Sequence, residues 1–148
     1  MSKARAIITD EHLLRIKCDP VLPSEIDYLR SELELALELS AKNGHPGVGL
    51  ACPQIGIAKK MAIVRVDDIK IDLVNAKITN KYYPFEFDGE GCLSFPGRYV
   101  KTLRHKEIVV DENLATPNRF IATGFVAVVL EHELQHLDGI LLPDVAIT

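Results

Sequence analysis

The sequence predicts an α+β fold, with mainly antiparallel sheets around a central C-terminal helix and a second helix near the N-terminus. Two observations predict it. Apolar residues recur at helical spacing in two widely separated segments. The stretch between them holds short runs rich in Val and Ile, divided by turn-forming residues. Strands gathered between two helices, rather than alternating with them, favour antiparallel pairing.

The first helix is expected to start near Ser24, just after Pro23, with Asp27 three residues on in a near capping box. Ile26, Leu29, Leu33, Ala36, Leu37 and Ala41 give it one apolar stripe, and Asn43 with Gly44 supply a stop. Strands are expected over 61–66, 71–78, 99–103 and 107–110. Asp67-Asp68, Asn80-Lys81, Pro96-Gly97 and the stretch 111–118 separate or follow them, the last as a hairpin loop. The second helix is expected over 125–137, between Gly124 and Gly139.

With 148 residues, 47% of them apolar and none of them Trp, the chain is expected to form one domain over 1–148 with an aliphatic core. A domain of this size can bury its own core, so a monomer is expected. A net charge of -4 and a pI near 5.7 argue against a broad surface for nucleic acid or anionic membrane. No apolar run approaches the roughly 18 to 20 residues needed to span a bilayer. The first ten residues are too mixed for a signal peptide. Three cysteines, an odd and sparse set, suit a reducing cytoplasm. Cys18 and Cys52 read as small buried hydrophobes; Cys92 stands apart.

Chemistry concentrates in three clusters. In His132-Glu133-Leu134-Gln135-His136, two histidines four apart share one helix face and can bind one metal ion. Glu133 is then placed to act as general base on a water at that ion. The bland alternative is a surface helix with two solvated histidines. A catalytic ion usually has three protein ligands and an open position. No His or Glu follows His136, so the third must lie upstream, among Cys92, His45, His105, His12 and the upstream acids. Cys92 is the best candidate by its setting, in Glu90-Gly91-Cys92-Leu93-Ser94, where Gly91 permits close backbone approach. The third cluster, Gly47-Val48-Gly49-Leu50-Ala51-Cys52-Pro53-Gln54, lacks the residues of a phosphate loop. It reads better as a loop bringing backbone and the Gln54 amide to a small substrate.

The three clusters, in this order, resemble the peptide deformylase family: GVGLACPQ at 47–54 for G-x-G-L-A-x-x-Q, EGCLS at 90–94, and HELQH at 132–136 for H-E-x-x-H. Residues 73–78 and 95–104 agree more weakly, with Ala76 where the family usually has Pro. The resemblance covers roughly 44–140. It implies hydrolysis of the N-formyl group from the formylmethionine of new polypeptides, giving formate and a free amino terminus. It implies Cys92, His132 and His136 as ligands of one divalent ion, typically Fe2+, with Zn2+, Ni2+ or Co2+ as substitutes. Glu133 would be the general base, and Gln54 with the Leu93 backbone N–H would stabilise the oxyanion. Gly47 and Gly49 would narrow the site to a formyl group, and Val48, Phe125, Val128 and Val129 would line a methionine pocket. Glu90 would hold the active-site loops or the peptide. Arg104 reads as a solvated charge with at most a similar role.

Three departures from the family pattern stand out: Glu131 where Gln is usual, Gln135 where Asp is frequent, and Cys52 where a small Ala is usual. The first two are expected to shift metal affinity or pH optimum. Only nine residues follow Gly139, so a short form without the C-terminal extension of many bacterial members is expected. Any ribosome contact would be transient and would not use such a tail. The expected location is the cytoplasm, that of the host for a phage-encoded copy. Two rivals remain: a small zinc protease that uses the same helix motif with another third ligand, and a relative that binds metal without catalysis.

Overall fold

The computed structural model describes residues 3–147. Asp10 caps a single turn, α1 (Glu11–Leu14), by accepting the His12 N–H at 2.9 Å. Pro23 then opens a 3-10 turn, Pro23–Glu25, that runs into α2 (Ile26–Lys42). The expected cap at Ser24 does not close this end. Glu25 Oε1 accepts the Leu22 N–H at 2.9 Å instead, and the α-helix begins two residues later than expected. Asn43 and Gly44 end α2 as expected, Gly44 at φ 88°.

Among the described residues, six strands form two three-stranded antiparallel sheets. The first has the order β1 (Gly49–Ala51), β2 (Met61–Val66), β3 (Ile69–Val74). The second has β4 (Ala76–Glu90), β5 (Val100–Glu112), β6 (Asn118–Thr123). The run 71–78, expected as one strand, is divided between the two sheets. Asn75 at φ 50° turns the chain between them, and its side chain holds Val21 through both backbone groups at 2.8 and 3.0 Å. Asn80-Lys81, expected as a separator, lies inside β4, and the expected strands 99–103 and 107–110 are one strand, β5. Cross-strand pairing of the long β4–β5 ladder outweighs local composition there. The loop between β5 and β6 falls within 111–118 as expected.

Helix α3 (Gly124–Leu137) sits between the sheets. Ala127, Leu130 and Leu134 meet Ala62, Val64 and Leu73 of the first sheet and Ile108 and Val110 of the second. Strand β2 is apolar on both faces because both are covered. Ala62 and Val64 face α3, whereas Met61 and Ile63 join Leu29, Leu33 and Ala36 of α2. The structure is therefore layered as α2, first sheet, α3, second sheet, and Glu131, His132, Glu133 and His136 of α3 are all buried. Short α4 (Leu142–Val145) follows, and Arg15 ties it back by two bonds to Asp144 at 2.7 and 2.9 Å. Among the described residues no helix is long and apolar enough to cross a membrane.

Candidate active site

Three segments converge on a cavity of about 360 Å³: the loop and strand 44–49, the segment 87–99 that leaves β4, and one face of α3. Gly47, Val48, Gly49, Gln54, Glu90, Cys92, Leu93, Phe125, Val128, Val129, His132 and Glu133 all line it. Every residue expected at the site lies on this cavity except His136, which is 1% exposed one helical turn beneath His132.

The four-residue spacing on α3 brings the imidazoles of His132 and His136 edge to face, with ring centroids 5.0 Å apart. Cys92 comes to them on the turn after β4. One ligand atom from each of Cys92, His132 and His136 lies within 4.8 Å of the others. Of the other candidates, His12 is exposed in α1, His45 sits on the cavity rim, and His105 is bonded to Glu131.

The donor set fits a divalent cation. His132 Nδ1 donates to Glu90 Oε2 at 2.7 Å, which leaves Nε2 to face Cys92 and His136. Cys92 Sγ is 3.3 Å from His136 Nε2. Burial disfavours charge on His132, but its contacts to Cys92 and Glu90 outweigh that and hold its pKa near 10. Burial and the neighbouring His132 charge push His136 well below its usual value. The sulfur and the two imidazoles thus face one another at a single point, the donor set a divalent cation would take.

Glu133 is 3% exposed, and burial pushes its carboxyl up to about 7, so it can hold or release a proton near neutral pH. Its Oε1 has no partner among the described residues. Gly49 makes room for it: a β-carbon there would stand 2.6 Å from Glu133 Oε2. At Gly47 a β-carbon would stand 2.7 Å from Leu93 Cδ1, and at Gly91 the same distance from Tyr99 Cε1. The motif glycines therefore let the 44–49 segment close on the helix at Gly49 and on the Cys92 loop at Gly47.

Gln54 is locked in one orientation. Its Oε1 accepts the Ala51 N–H at 3.0 Å, and its Nε2 donates to Ser94 Oγ at 3.1 Å and toward Cys92 Sγ at 3.5 Å. Both of its amide hydrogens point to the Cys92 turn.

One expectation changes. Arg104, read from the sequence as solvated, is 1% exposed. Glu90 lines the cavity, but its carboxylate is committed. It accepts from Thr102 Oγ1 at 2.7 Å, from Arg104 Nε at 2.8 Å, from Arg104 Nη2, and from His132. Burial opposes its ionisation, yet Arg104 and His132 overcome it and bring the carboxyl down to about 2. The Glu90 carboxylate thus ties the second sheet to the His132 ring. A register shift between Phe87 and Glu90, with Gly89 at φ 81°, re-aims the strand to make these bonds. Sequence reasoning gave no role to Ser94, although it stands inside the quoted motif. It also missed Phe87, which stacks on Phe125 with centroids 6.0 Å apart.

Comparison with known proteins agrees with this geometry. The sequence profile described as Polypeptide deformylase matches residues 4–148. A peptide deformylase of Syntrophomonas wolfei is 37% identical over 150 aligned residues, covering 99% of this chain and 95% of its own. The crystal structure of peptide deformylase from Thermotoga maritima superposes with a TM-score of 0.85 at 28% identity, over 99% of this chain and 100% of that one. A probable peptide deformylase from Synechococcus phage S-SSM7 gives 0.81 at 33% identity, over 96% of this chain and 99% of that one. The α+β architecture expected from the sequence is that of these structures, and the chain belongs to the polypeptide deformylase family of hydrolases.

Proposed function

We propose that residues 1–148 act as one catalytic domain that hydrolyses the N-formyl group of peptides beginning with formylmethionine, releasing formate and a free amino terminus. The observation that carries this reading is the convergence of Cys92, His132 and His136 on one point, with Glu133 and Gln54 on the same small cavity. A divalent ion held by these three side chains, Fe2+ in the cell with Zn2+, Ni2+ or Co2+ as substitutes, supplies Lewis acidity and lowers the pKa of water.

The remaining work falls to the chain. Glu133 takes a proton from the attacking water and returns it to the departing amine, a role for which its pKa near 7 is matched. The formyl oxygen gains negative charge as the carbonyl carbon becomes tetrahedral. Gln54 Nε2 and the Leu93 backbone N–H donate to it. The hydrogen that Gln54 directs toward sulfur over 3.5 Å is its weaker commitment and is the one left for the substrate oxygen. Glu90 fixes the His132 tautomer. Gly47 and Gly49 keep the acyl end narrow, and Val48, Phe125, Val128 and Val129 receive the methionine side chain. The chain works as a monomer in the cytoplasm, where formylated nascent peptides arise, and binds neither nucleic acid nor membrane.

Formate release from formyl-Met-Ala-Ser and acetate release from acetyl-Met-Ala-Ser, measured on anaerobically Fe2+- or Ni2+-loaded protein, test this. Release from the formyl peptide alone is expected. Equal cleavage of both, or of neither with one ion bound, would contradict it.

A further inference from the structure

The contacts behind His132 do not end at Glu90. Arg104 Nη1 donates to Gln135 Oε1 at 2.8 Å and lies 3.7 Å from Glu131 Oε2. Glu131 is 1% exposed. It neighbours His132 in sequence, yet its carboxylate turns to the second sheet. Its Oε1 accepts the His105 backbone N–H at 3.1 Å and His105 Nδ1 at 3.0 Å, and Lys81 Nζ of β4 is 3.5 Å from its Oε2. Arg104 is therefore held between two buried carboxylates, Glu90 on the side of the site and Glu131 on the side of the sheet. A buried guanidinium shared between two anions draws on each less than it would on one alone.

We propose that Glu131 is a positioning residue for the metal centre. It anchors Arg104 from behind, and so sets how much of the Glu90 carboxylate is left to accept from His132 Nδ1. Without its charge, Arg104 keeps Glu90 as its carboxylate partner beside the neutral Gln135 amide, so Glu90 becomes a poorer acceptor and His132 a poorer ligand. Gln135 marks a second place from which the same charge can act, because its Oε1 already touches Arg104 Nη1. This inference rests on the reading of His132 as a ligand.

The test compares Co2+ affinity, by chelator competition, in the wild type, Glu131→Gln and the double variant Glu131→Gln/Gln135→Glu, with near-ultraviolet absorption reporting the Cys92–cobalt bond. Glu131→Gln keeps the shape of the side chain and removes its charge. It is expected to bind Co2+ about 10-fold more weakly. The double variant is expected to return to within about threefold of the wild type, a recovery that a purely structural role at position 131 would not give. Wild-type affinity in Glu131→Gln, or no recovery in the double variant, overturns the proposal. So does a Glu131→Gln that fails to fold while the double variant folds, because the carboxylate is then needed for folding rather than for the centre. Failure of the underlying reading shows separately, as Co2+ binding by His132→Ala that matches the wild type, and it takes this proposal with it.

Discussion

Gly49 of β1 and Glu133 of α3 are in contact, and the contact exists only because residue 49 has no side chain: a β-carbon would stand 2.6 Å from Glu133 Oε2 and 3.1 Å from its Cδ. The first sheet thereby fixes where the carboxylate of the helix motif rests. Gly49→Ala leaves a backbone conformation that any residue adopts, so the fold should persist. The carboxylate must move aside, and a displacement of this order at a reacting group costs about 10²-fold. Steady-state kinetics on the metal-loaded variant should show that fall in kcat/KM with unchanged metal content.

Removing the sulfur leaves two imidazoles, too few donors for tight binding of a catalytic ion. Cys92→Ala should fold, since Cys92 is half-buried on a turn, and should lose its ion during dialysis against a weak chelator. Metal analysis giving one ion per chain after that dialysis would exclude Cys92 as a ligand.

Phe125 is 48% exposed at the cavity mouth and stacks on Phe87. Phe125→Ala should therefore change binding more than stability. An aromatic contact of this kind is worth about 1 kcal/mol, so KM for a formylmethionyl peptide should rise about fivefold with kcat little changed. A fall in kcat with constant KM would move Phe125 out of the methionine pocket.

How much of this could be read from the sequence differs by element. The HELQH spacing needed only the pitch of a helix, and α3 is apolar enough that no other structure suits it. Strand β2 was legible to the residue because both of its faces are buried. The division at Asn75 was not, since one side chain in the left-handed region, held by a residue far back at Val21, ends a run that otherwise reads as continuous. The length of β4 and β5 was hidden for a related reason: their polar positions are carried by pairing with each other. At the site, residue types pointed to Cys92, His132, His136 and Glu133, while the use of Glu90 depended on where Arg104 falls. A lone Arg in a strand looks solvated until the sheet turns it inward onto a carboxylate.

The Arg15–Asp144 pair joins the chain's two ends. Hydrogen bonding to Arg15 holds the Asp144 carboxyl below its usual range, with burial opposing and the Leu141 N–H assisting. A depressed carboxyl stabilises the fold above its unfolded pKa, near 3.9, and that contribution is lost as pH falls through the folded value. Asp144→Asn should lower the melting temperature by about 2 °C at pH 7, and the gap from the wild type should narrow steadily as the pH falls below about 4. A gap that is constant across this range would mean that Asp144 acts without its charge.

The central claim is that Glu133 moves the proton at a centre held by Cys92, His132 and His136. Formate release by Glu133→Gln, carrying one equivalent of Ni2+, tests it most directly. Full metal content and a rate about 10²- to 10⁴-fold below the wild type are expected. Wild-type release from the same metal-loaded variant would contradict it.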